Sequence, residues 1–449
     1  MKIYEFISNE NELYIKTTDT LFPQLSKENI MVFDIDTTSF EAANGCVFLI
    51  GTLTYEDNTL ISRHYFSESI SEETEIIEKF LDIAGDYNVL LSFKGESFDI
   101  AFIGKRIYEL KKQNSQDRDL CDKLSFLYNK LQNIRSRSYD VFNEIHAIKP
   151  YMDFTSTKLD TLRAKFGQKV TERVSGENIS KFYVEHIAAI KLKSLLEITG
   201  KPENVGFIPD YDPKPIEDEL AHIDPDAGDR FLENILARNR ENMEAVLYIM
   251  RLSHLFVMRQ GSFSVSYVEC SRGAFDTAPL RSSGVGLPHV SEGTVLSDTS
   301  KMCQKEPSPL THSLSLHIQE RDFSIDIPLE ICELDLKIFY ANFKDYYYFP
   351  AEDMAVHKSV AEFADAGSKK KATSKTAYRK VSGSFVHIPN AYAKSDNNKA
   401  SNRYKTDYEA EEYYLPLDEI KRLDTEKLKE LAYYCVLDYG KEHLQSVLI

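Results

Sequence analysis

The sequence lacks several features that mark membrane, secreted and disulfide-bonded proteins. It contains no run of 18 apolar residues, and its first stretch, MKIYEFISNENELYIK, has no apolar signal-peptide core. The six cysteines are scattered along the chain, and no two of them form a CxxC pair. We therefore expect reduced thiols, no membrane span and a cytoplasmic location.

Positive charge is also in short supply. The chain has 54 lysines and arginines against 71 aspartates and glutamates, which gives a formal net charge of −17. This balance argues against a protein that coats nucleic acid indiscriminately. It does not exclude a nuclease, because an acidic site can hold metal ions while a local basic patch binds phosphate. The length of 449 residues and the ordinary globular composition predict two or three domains.

The stretch around which the chain is organised is MVFDIDTT at residues 31–38. Its β-branched and aromatic residues favour a strand, and side chains two apart on a strand share a face. Asp34 and Asp36 therefore point the same way. Adjacent carboxylates repel each other, and a hard divalent cation such as Mg²⁺ is the usual means of keeping both charged. A solvated strand end is the simpler alternative, so the interpretation depends on the surrounding pattern.

The segments after this strand predict an antiparallel meander. Residues 46–56 and 59–66 are both rich in strand-forming residues, and the turn dipeptide Asp57-Asn58 separates them. Such a dipeptide between two β-rich runs is a hairpin signal. We therefore expect three consecutive strands, antiparallel to one another.

A third aspartate follows at a strand-to-helix junction. Helical periodicity covers residues 71–84, and NVLLSF at residues 88–93 predicts a buried central strand. Asp99 comes shortly after that strand, at the start of a further helix. Ligands of α/β sheets collect at such junctions, although an aspartate there also favours the helix dipole.

The second half of the chain changes character. Residues 199–228 are rich in proline, aspartate and glycine and predict a long loop, and Asp229–Val257 predicts a strong helix. Beyond Gly261 short β-prone pieces prevail, and residues 313–327 alternate in a hairpin pattern.

A basic segment at residues 358–380 stands out in this acidic chain. It holds seven lysines and arginines against two acidic residues. We regard it as a candidate phosphate contact, with a solvated basic face as the alternative. The residues concerned are Lys369, Lys370, Lys371, Lys375, Arg379 and Lys380.

The order of these pieces resembles the DEDD exonuclease superfamily, and most closely its YprB-like ribonuclease-H-like family. The resembling stretches, which span about residues 29–257, are VFDIDTTSF, VFLIGTLTYE, LLSFKGESFDIAFIGKR, YDVF, KLDTLRAKFG with SGENI, and RNRENMEAVLYI. FKDYYYFPAEDMAVHKSVAEF also resembles the C-terminal portion of some longer members. The resemblance implies an α/β ribonuclease-H-like fold, with a mixed sheet flanked by helices, followed by a second, β-containing domain.

The resemblance also implies a chemistry. In such families the carboxylates bind two divalent metal ions, Mg²⁺ or Mn²⁺. One ion helps to generate hydroxide from water, and the other stabilises the leaving oxygen of the phosphodiester. Asp34, Asp36 and Asp99 match the family's metal ligands. The fourth carboxylate and its general base lie on a late helix, as Tyr/His-x-x-x-Asp.

Four positions depart from the family's pattern. Asp36 replaces a glutamate and reaches about one methylene less far, and Lys94 stands where asparagine is usual. On the late helix Asn242 takes the place of the fourth carboxylate, and Arg238 takes the place of the base. Asparagine offers only a neutral oxygen, and arginine stays protonated. We therefore expect weakened catalysis, with Lys94 and Arg238 as candidate nucleic-acid contacts.

A second segment competes for the fourth position. Tyr434 and Asp438 have the Tyr-x-x-x-Asp spacing and would share a helix face. This resembles the third motif of DEDD proofreading domains. The segment nevertheless comes after a whole second domain, so we favour Asn242 as the residue that faces Asp34 and Asp36.

Three functions are consistent with these observations. The first is a metal-dependent 3′→5′ exonuclease or related nuclease acting on DNA or RNA. The second is a catalytically inactive nucleic-acid-binding protein of the same fold, and the third is a protein-interaction scaffold, although the sequence indicates no particular protein partner. The expected domains are a preface at residues 1–28, a ribonuclease-H-like domain at 29–258 and a β-containing domain at 259–449.

Overall fold

The computed structural model describes most of the chain in seven stretches. They are residues 1–152, 154–169, 178–199, 227–270, 313–321, 323–395 and 404–448. The chain divides into two compact units, of which the first comprises residues 1–260 and 443–449 and the second residues 261–442. The loop predicted for residues 199–228 lies almost entirely outside the described residues.

The first unit is built on a mixed sheet of six strands, in the order β1-β4-β3-β2-β5-β6. The strands are β1 (Lys2–Ile7), β2 (Ile30–Thr37), β3 (Val47–Glu56), β4 (Thr59–Phe66), β5 (Val89–Ser92) and β6 (Ser138–Asp140). β2, β3 and β4 form an antiparallel meander, whereas β5 runs parallel to β2 and β6 runs parallel to β5. The carboxyl ends of β2, β5 and β6 therefore lie at one edge of the sheet.

The hairpin between β3 and β4 confirms the prediction from Asp57-Asn58. Both residues have positive φ angles, of 49° and 63°. Two consecutive positive φ angles are what a two-residue type I′ turn requires, and its twist matches that of the flanking strands.

Helices cover both faces of the sheet. They are α1 (Asn11–Leu21), α2 (Glu73–Ala84), α3 (Asp99–Gln113), α4 (Arg118–Arg135), α5 (Val141–Ile148), α6 (Leu159–Lys165), α7 (Ile179–Thr199), α8 (Ala227–Ile249) and α9 (Ser253–Arg259). The helix predicted at Asp229–Val257 is thus divided into α8 and α9 by a 3₁₀ turn at Met250–Leu252. None of the helices in the described parts of the chain has both the length and the apolar character that crossing a membrane requires.

The alternation of side chains along β2 separates the apolar core from the acidic residues. Phe33 and Ile35 lie in the cluster formed with α2, α3 and α4, where the rings of Phe33 and Phe80 are 5.3 Å apart. On the opposite face, Phe66 of β4 packs with Tyr183 of α7 and with α8. Asp34 and Asp36 share the face that α8 covers, because their amide partners are on that helix.

The structure differs from the expectation at the N-terminus. Residues 1–28 do not form a poorly patterned preface, because β1 pairs antiparallel with β4 along its whole length. The Tyr14 side chain of α1 is fully buried, and its hydroxyl donates to the carbonyls of Lys27 and Ile30 at 2.8 Å. An edge strand and a threonine-rich helix have weak hydrophobic patterns, which is why the sequence did not indicate them.

The second unit is rich in short strands. They are β7 (Ser264–Cys270), β8 (Ser313–Glu320), β9 (Phe323–Leu329), β10 (Ile331–Phe339), β11 (Tyr346–Phe349), β12 (Met354–His357), β13 (Lys370–Lys371), β14 (Tyr378–Ile388), β15 (Tyr404–Lys405) and β16 (Tyr413–Pro416). β10, β14, β16 and β15 close into a ring around Leu336 and Phe385. The predicted hairpin is confirmed as β8 and β9. The helices are α10 (Lys358–Ala361), α11 (Asn390–Lys394), α12 (Leu417–Ile420) and α13 (Thr425–Glu442).

Candidate functional site

The acidic site lies on a single row of residues that crosses three neighbouring strands. Asp34 of β2 pairs with Gly51 of β3, and Gly51 pairs with His64 of β4. Directly paired residues of antiparallel strands share a face of the sheet. The row therefore presents a carboxylate, a position without a side chain, and an imidazole to the helix above it.

Helix α8 supplies two amides to this row. Asn239 Nδ2 donates to Asp34 Oδ2 at 3.1 Å and to Asp36 Oδ2 at 3.2 Å. Asn242 Nδ2 also donates to Asp34 Oδ2, at 3.2 Å. Residues three apart share a helix face, so both amides project from α8 onto the pair of carboxylates. The structure thus brings the predicted Asn242 to Asp34.

Asp99 approaches β2 from the side where β5 pairs with it, whereas β3 lies on the opposite side. It is the first residue of α3, and its Oδ1 accepts the backbone N–H of Ile35 at 3.0 Å. β5 pairs with β2 only over residues 30–32, so the Asp99 side chain takes the place of a strand partner beyond the end of β5. The Asp99 side chain is 3% exposed, which places a carboxylate in the interior beside the Asp34–Asp36 strand.

The electrostatics of the site disfavour negative charge. Burial, followed by the nearby charges of Asp36 and Asp99, raises the pKa of Asp34 well above its ordinary value. The hydrogen bond from Asn242 and the charge of Arg238 oppose this rise. Burial raises the pKa of Asp99 to about 7, with smaller contributions from Asp140 and Asp36, while the Ile35 amide acts against the change. The charge of Arg238 thus offsets only part of the cost of placing these carboxylates close together.

His64 and Ser62 of β4 hold the Asn239 side chain in one orientation. Its Oδ1 lies 3.0 Å from His64 Nδ1, and His64 Nε2 lies 2.6 Å from Ser62 Oγ. Burial lowers the pKa of His64 to about 3, so the ring is neutral and carries one proton. With that proton on Nδ1, the ring donates to Asn239 Oδ1 and accepts from the Ser62 hydroxyl. The Asn239 amide then directs its N–H groups at the carboxylates.

The loop before Asp99 is organised by Asp140 at the end of β6. Asp140 Oδ1 accepts from the backbone N–H of Lys94 at 2.7 Å and of Phe142 at 3.0 Å, and its Oδ2 accepts from that of Glu96 at 3.3 Å. Lys94 has a φ of 68°, a left-handed conformation that asparagine and glycine adopt more easily. This physical preference fits the asparagine that is usual at that position in the resembling family. The exposed Lys94 ammonium lies 4.9 Å from the centre of the Phe142 ring.

These residues are of the types that bind a divalent cation, but their present hydrogen bonds occupy one of the oxygens that would bind it. Carboxylate oxygens are the ligands that Mg²⁺ and Mn²⁺ prefer, and the buried Asn242 Oδ1 has no hydrogen-bond partner among the described residues. Two amide N–H groups, however, occupy Asp34 Oδ2. Over the described stretches, no set of three or more His, Cys, Asp and Glu side chains is arranged to hold a metal ion. The residues fit a cation, provided that an amide turns.

The basic segment belongs to the second unit, and its cations differ in their surroundings. Lys369 Nζ donates to the carbonyls of Ala361 and Ala364, Lys375 pairs with Glu409, and Lys380 lies 2.6 Å from Asp353 Oδ2. Lys370 and Lys371 are exposed on β13, and Arg379 is exposed on β14. Three of the six predicted phosphate contacts are thus held by partners within the unit.

The competing pair, Tyr434 and Asp438, also belongs to the second unit. Both lie on α13, where Asp438 Oδ1 pairs with Lys441 Nζ at 2.5 Å. Asn242 of α8, by contrast, contacts Asp34 directly.

Sequence reasoning missed four residues that shape the site: Gly51, His64, Asn239 and Asp140. Asn239 could have been found, because it precedes Asn242 by three positions and so shares its helix face. Gly51 and His64 could be recognised only through the strand register, which the sequence does not specify. Asp140 lies in the YDVF stretch, but nothing in its spacing indicates that it caps a distant loop.

Comparison with known proteins identifies the fold to which residues 31–198 belong. A family model described as RNase_H superfamily matches residues 31–198. No curated protein matches the chain. The first unit therefore contains a ribonuclease-H-like domain, which confirms the predicted α/β fold class with a separate β-rich C-terminal region. A domain of this superfamily suggests nuclease-like chemistry and nucleic acid as a partner. The match ends before α8, so Asn239 and Asn242 lie outside it.

Proposed function

We propose that the protein is a divalent-metal-dependent nuclease of the DEDD 3′→5′ exonuclease type, most similar to the YprB-like family, and that it is weakened by the missing fourth carboxylate. The observation that carries this proposal is the convergence of three carboxylates in a ribonuclease-H-like sheet: Asp34 and Asp36 share the Asn239 amide, and Asp99 accepts the N–H of Ile35 between them. A buried group of like charges is costly unless a cation compensates it.

In this proposal Asp34, Asp36 and Asp99 hold Mg²⁺ or Mn²⁺. When bound, such ions supply Lewis-acid stabilisation of the phosphate and an acidified water. Asn242, whose Oδ1 has no hydrogen-bond partner among the described residues, would supply the fourth ligand. This oxygen is neutral, so it compensates less of the cation's charge than a carboxylate does.

Arg238 occupies the position of the general base but cannot perform that role. Its guanidinium stays protonated at physiological pH, and its charge lowers the pKa of Asp34. A fixed cation beside the carboxylates is suited to binding phosphate. The reaction would therefore proceed without a protein base, which is a second reason to expect slow hydrolysis.

We expect slow, Mn²⁺-dependent degradation of single-stranded DNA or RNA labelled at the 5′ end, shortening from the 3′ end. Asp34→Ala should abolish it. Asn242→Asp should raise the rate by about tenfold or more, because it restores a charged ligand. Asn242→Asp combined with Arg238→Tyr should be faster still. Time courses with Mn²⁺ and with EDTA measure these rates.

The matched control is Asn234→Asp, the same exchange on the same helix, at a side chain whose Nδ2 donates to the Arg230 carbonyl within that helix. It should leave the rate unchanged. The proposal fails if neither the wild type nor Asn242→Asp hydrolyses nucleic acid with Mn²⁺. If Asp438→Ala abolishes an activity that Asn242→Asp does not change, the site is completed by α13.

A catalytically inactive nucleic-acid-binding protein is the second candidate. It is favoured by the amide at Asn242, which donates to Asp34 as no carboxylate could. Salt-dependent binding of the same oligonucleotides, with no hydrolysis by wild type or Asn242→Asp, would distinguish it from the nuclease.

A further inference from the structure

We propose that Asn239 is the positioning residue of the Asp34–Asp36 pair, and that His64 with Ser62 sets the direction in which its amide points. The part of this proposal that concerns metal affinity rests on the proposed function. The part that concerns the metal-free protein does not, because it follows from the hydrogen bonds within the first unit.

Asn239 connects two carboxylates that would otherwise repel each other. Its Nδ2 lies 3.1 Å from Asp34 Oδ2 and 3.2 Å from Asp36 Oδ2. An amide nitrogen carries two hydrogens, so a single group can donate to both carboxylates. Asn239 is fully buried, and no water-exposed alternative is open to its donors. Both residues lie on β2, whose backbone places them two positions apart, and the Asn239 side chain bridges their carboxylates.

The two amides of α8 differ in how they are held. Asn239 Oδ1 has a partner in His64, which in turn has a partner in Ser62. Asn242 Oδ1 is buried and, within the described stretches, has no hydrogen-bond partner. Turning Asn242 therefore breaks a single hydrogen bond, the one to Asp34, whereas turning Asn239 also requires His64 to change its tautomer. Asn239 is the fixed amide, and Asn242 is the adjustable one.

Gly51 makes this connection possible. The Asn239 side chain spans β3 between His64 on β4 and Asp34 on β2, and it passes over Gly51. A Cβ atom at position 51 would lie 1.9 Å from Asn239 Oδ1 and 2.8 Å from Met243 Cε. Contacts this short cannot be accommodated, so Gly51→Ala must displace the amide.

The first test uses the metal-free protein. Asn239→Asp keeps the shape of the side chain but replaces its donors with an acceptor facing two carboxylates. In EDTA it should lower the melting temperature of the full chain by about 5 °C or more relative to Asn242→Asp. Asn242→Asp is the milder exchange, because its new oxygen replaces a donor to Asp34 alone, whereas Asn239 donates to both carboxylates. Asn234→Asp, on the same helix, should melt like the wild type.

The proposal is overturned if Asn239→Asp and Asn234→Asp melt alike in EDTA. A second measurement applies where Asn239→Asp does not fold. The losses in melting temperature caused by Asn239→Ala and His64→Phe should not add in the double variant, because both remove the same connection. Strict additivity would show that His64 does not orient Asn239.

The third test uses Mn²⁺ alone, titrated calorimetrically. Hydrogen-bond partners of metal ligands typically alter metal affinity by 10–100-fold, so we expect Asn239→Ala and Gly51→Ala to weaken Mn²⁺ binding within that range. Asn234→Ala should have no effect. Wild-type affinity in both Asn239→Ala and Gly51→Ala would overturn the positioning role. If the wild type binds no Mn²⁺, the proposed function fails, and the EDTA measurements still decide whether Asn239 holds the pair.

Discussion

Asp99 is a carboxylic acid whose surroundings favour the protonated form. Burial raises its pKa from 3.8 to about 7, and the Ile35 amide only partly offsets this effect. In the folded protein Asp99 therefore keeps its proton over a pH range in which the unfolded chain has released it. The stability linked to this group is fully present below pH 3.8 and is lost as the pH rises through about 7.

We expect this dependence to appear as a difference between two proteins in EDTA. Between about pH 4 and 7, the free energy of unfolding of the wild type should decline relative to that of Asp99→Asn. The comparison is needed because His64 acts in the opposite direction. Its pKa is lowered to about 3 in the folded protein, so its contribution to the free energy of unfolding decreases as the pH falls. Urea unfolding at several pH values measures the difference.

Asp122→Asn is the control for this experiment, because Asp122 is exposed on α4. It should follow the wild type at every pH. Parallel curves for the wild type and Asp99→Asn would contradict the assignment of Asp99 as a protonated buried acid.

At the scale of residues, sequence pattern found the acids but not their partners. The two-residue period of strands places Asp34 and Asp36 on one face from the sequence alone. Asn239 and His64 have no comparable signal, because neutral polar residues in a helix and a strand are normally surface residues. Their importance arises from a strand register and a helix position that only the folded chain defines.

Among the elements, the β5–α3 loop has the most direct influence on the acidic site. Asp140 holds it by accepting three backbone N–H groups, from Lys94, Glu96 and Phe142. The Phe142 bond also caps the N-terminus of α5. One side chain thus fixes both the loop that precedes Asp99 and the helix that follows β6.

Asp140→Ala should therefore lower the free energy of unfolding by more than the loss of an ordinary helix cap does. We expect a loss of about 2–3 kcal/mol in the free energy of unfolding, because three backbone donors lose a charged acceptor. Asp117→Ala is the matched comparison, since Asp117 caps α4 through the Leu120 N–H at 3.0 Å. It should cost about 1 kcal/mol. Equal losses in urea titrations would show that the loop bonds contribute nothing.

The predictability of elements follows the strength of their periodicity. β2, β3 and the hairpin at Asp57-Asn58 were evident because long apolar runs and a specific turn agree with each other. β1 was missed because it is a short strand with a half-exposed pattern at the edge of the sheet. The bend between α8 and α9 was missed because apolar residues continue through the 3₁₀ turn at Met250–Leu252.

At the scale of the whole molecule, the acidic chain carries its basic segment on a separate compact unit. Composition predicted the patch but not the partners of Lys369, Lys375 and Lys380, since their acceptors are distant in sequence or belong to the backbone. Lys375 and Lys380 are exposed but have acidic partners, whereas Lys370, Lys371 and Arg379 are exposed and form no ion pair among the described residues. These three are therefore the better candidates for phosphate contacts.

If the segment binds nucleic acid, Lys370→Ser with Lys371→Ser should reduce the salt dependence of affinity. Each phosphate contact on a single strand contributes about 0.7 to the slope of log affinity against log salt, so the slope should fall by about 1.4. Fluorescence anisotropy with a labelled oligonucleotide measures it. The control, Lys421→Ser with Lys427→Ser, changes the net charge equally and should leave the slope unaltered. An unchanged slope in the first variant would identify the segment as a solvated surface.

The bond between Asn239 and Asp34 joins residues 205 positions apart. A ribosome adding 5–20 residues per second needs on the order of 10–40 s to make that length of chain. The local pairing of β2, β3 and β4 is available long before then, and during this interval Asp34 and Asp36 lack the amides of α8. The carboxylates of Asp34 and Asp36 must therefore stay hydrated until α8 has been synthesised and packs on the sheet. Water therefore solvates Asp34 and Asp36 first, and the amides of Asn239 and Asn242 replace it only after α8 has been made.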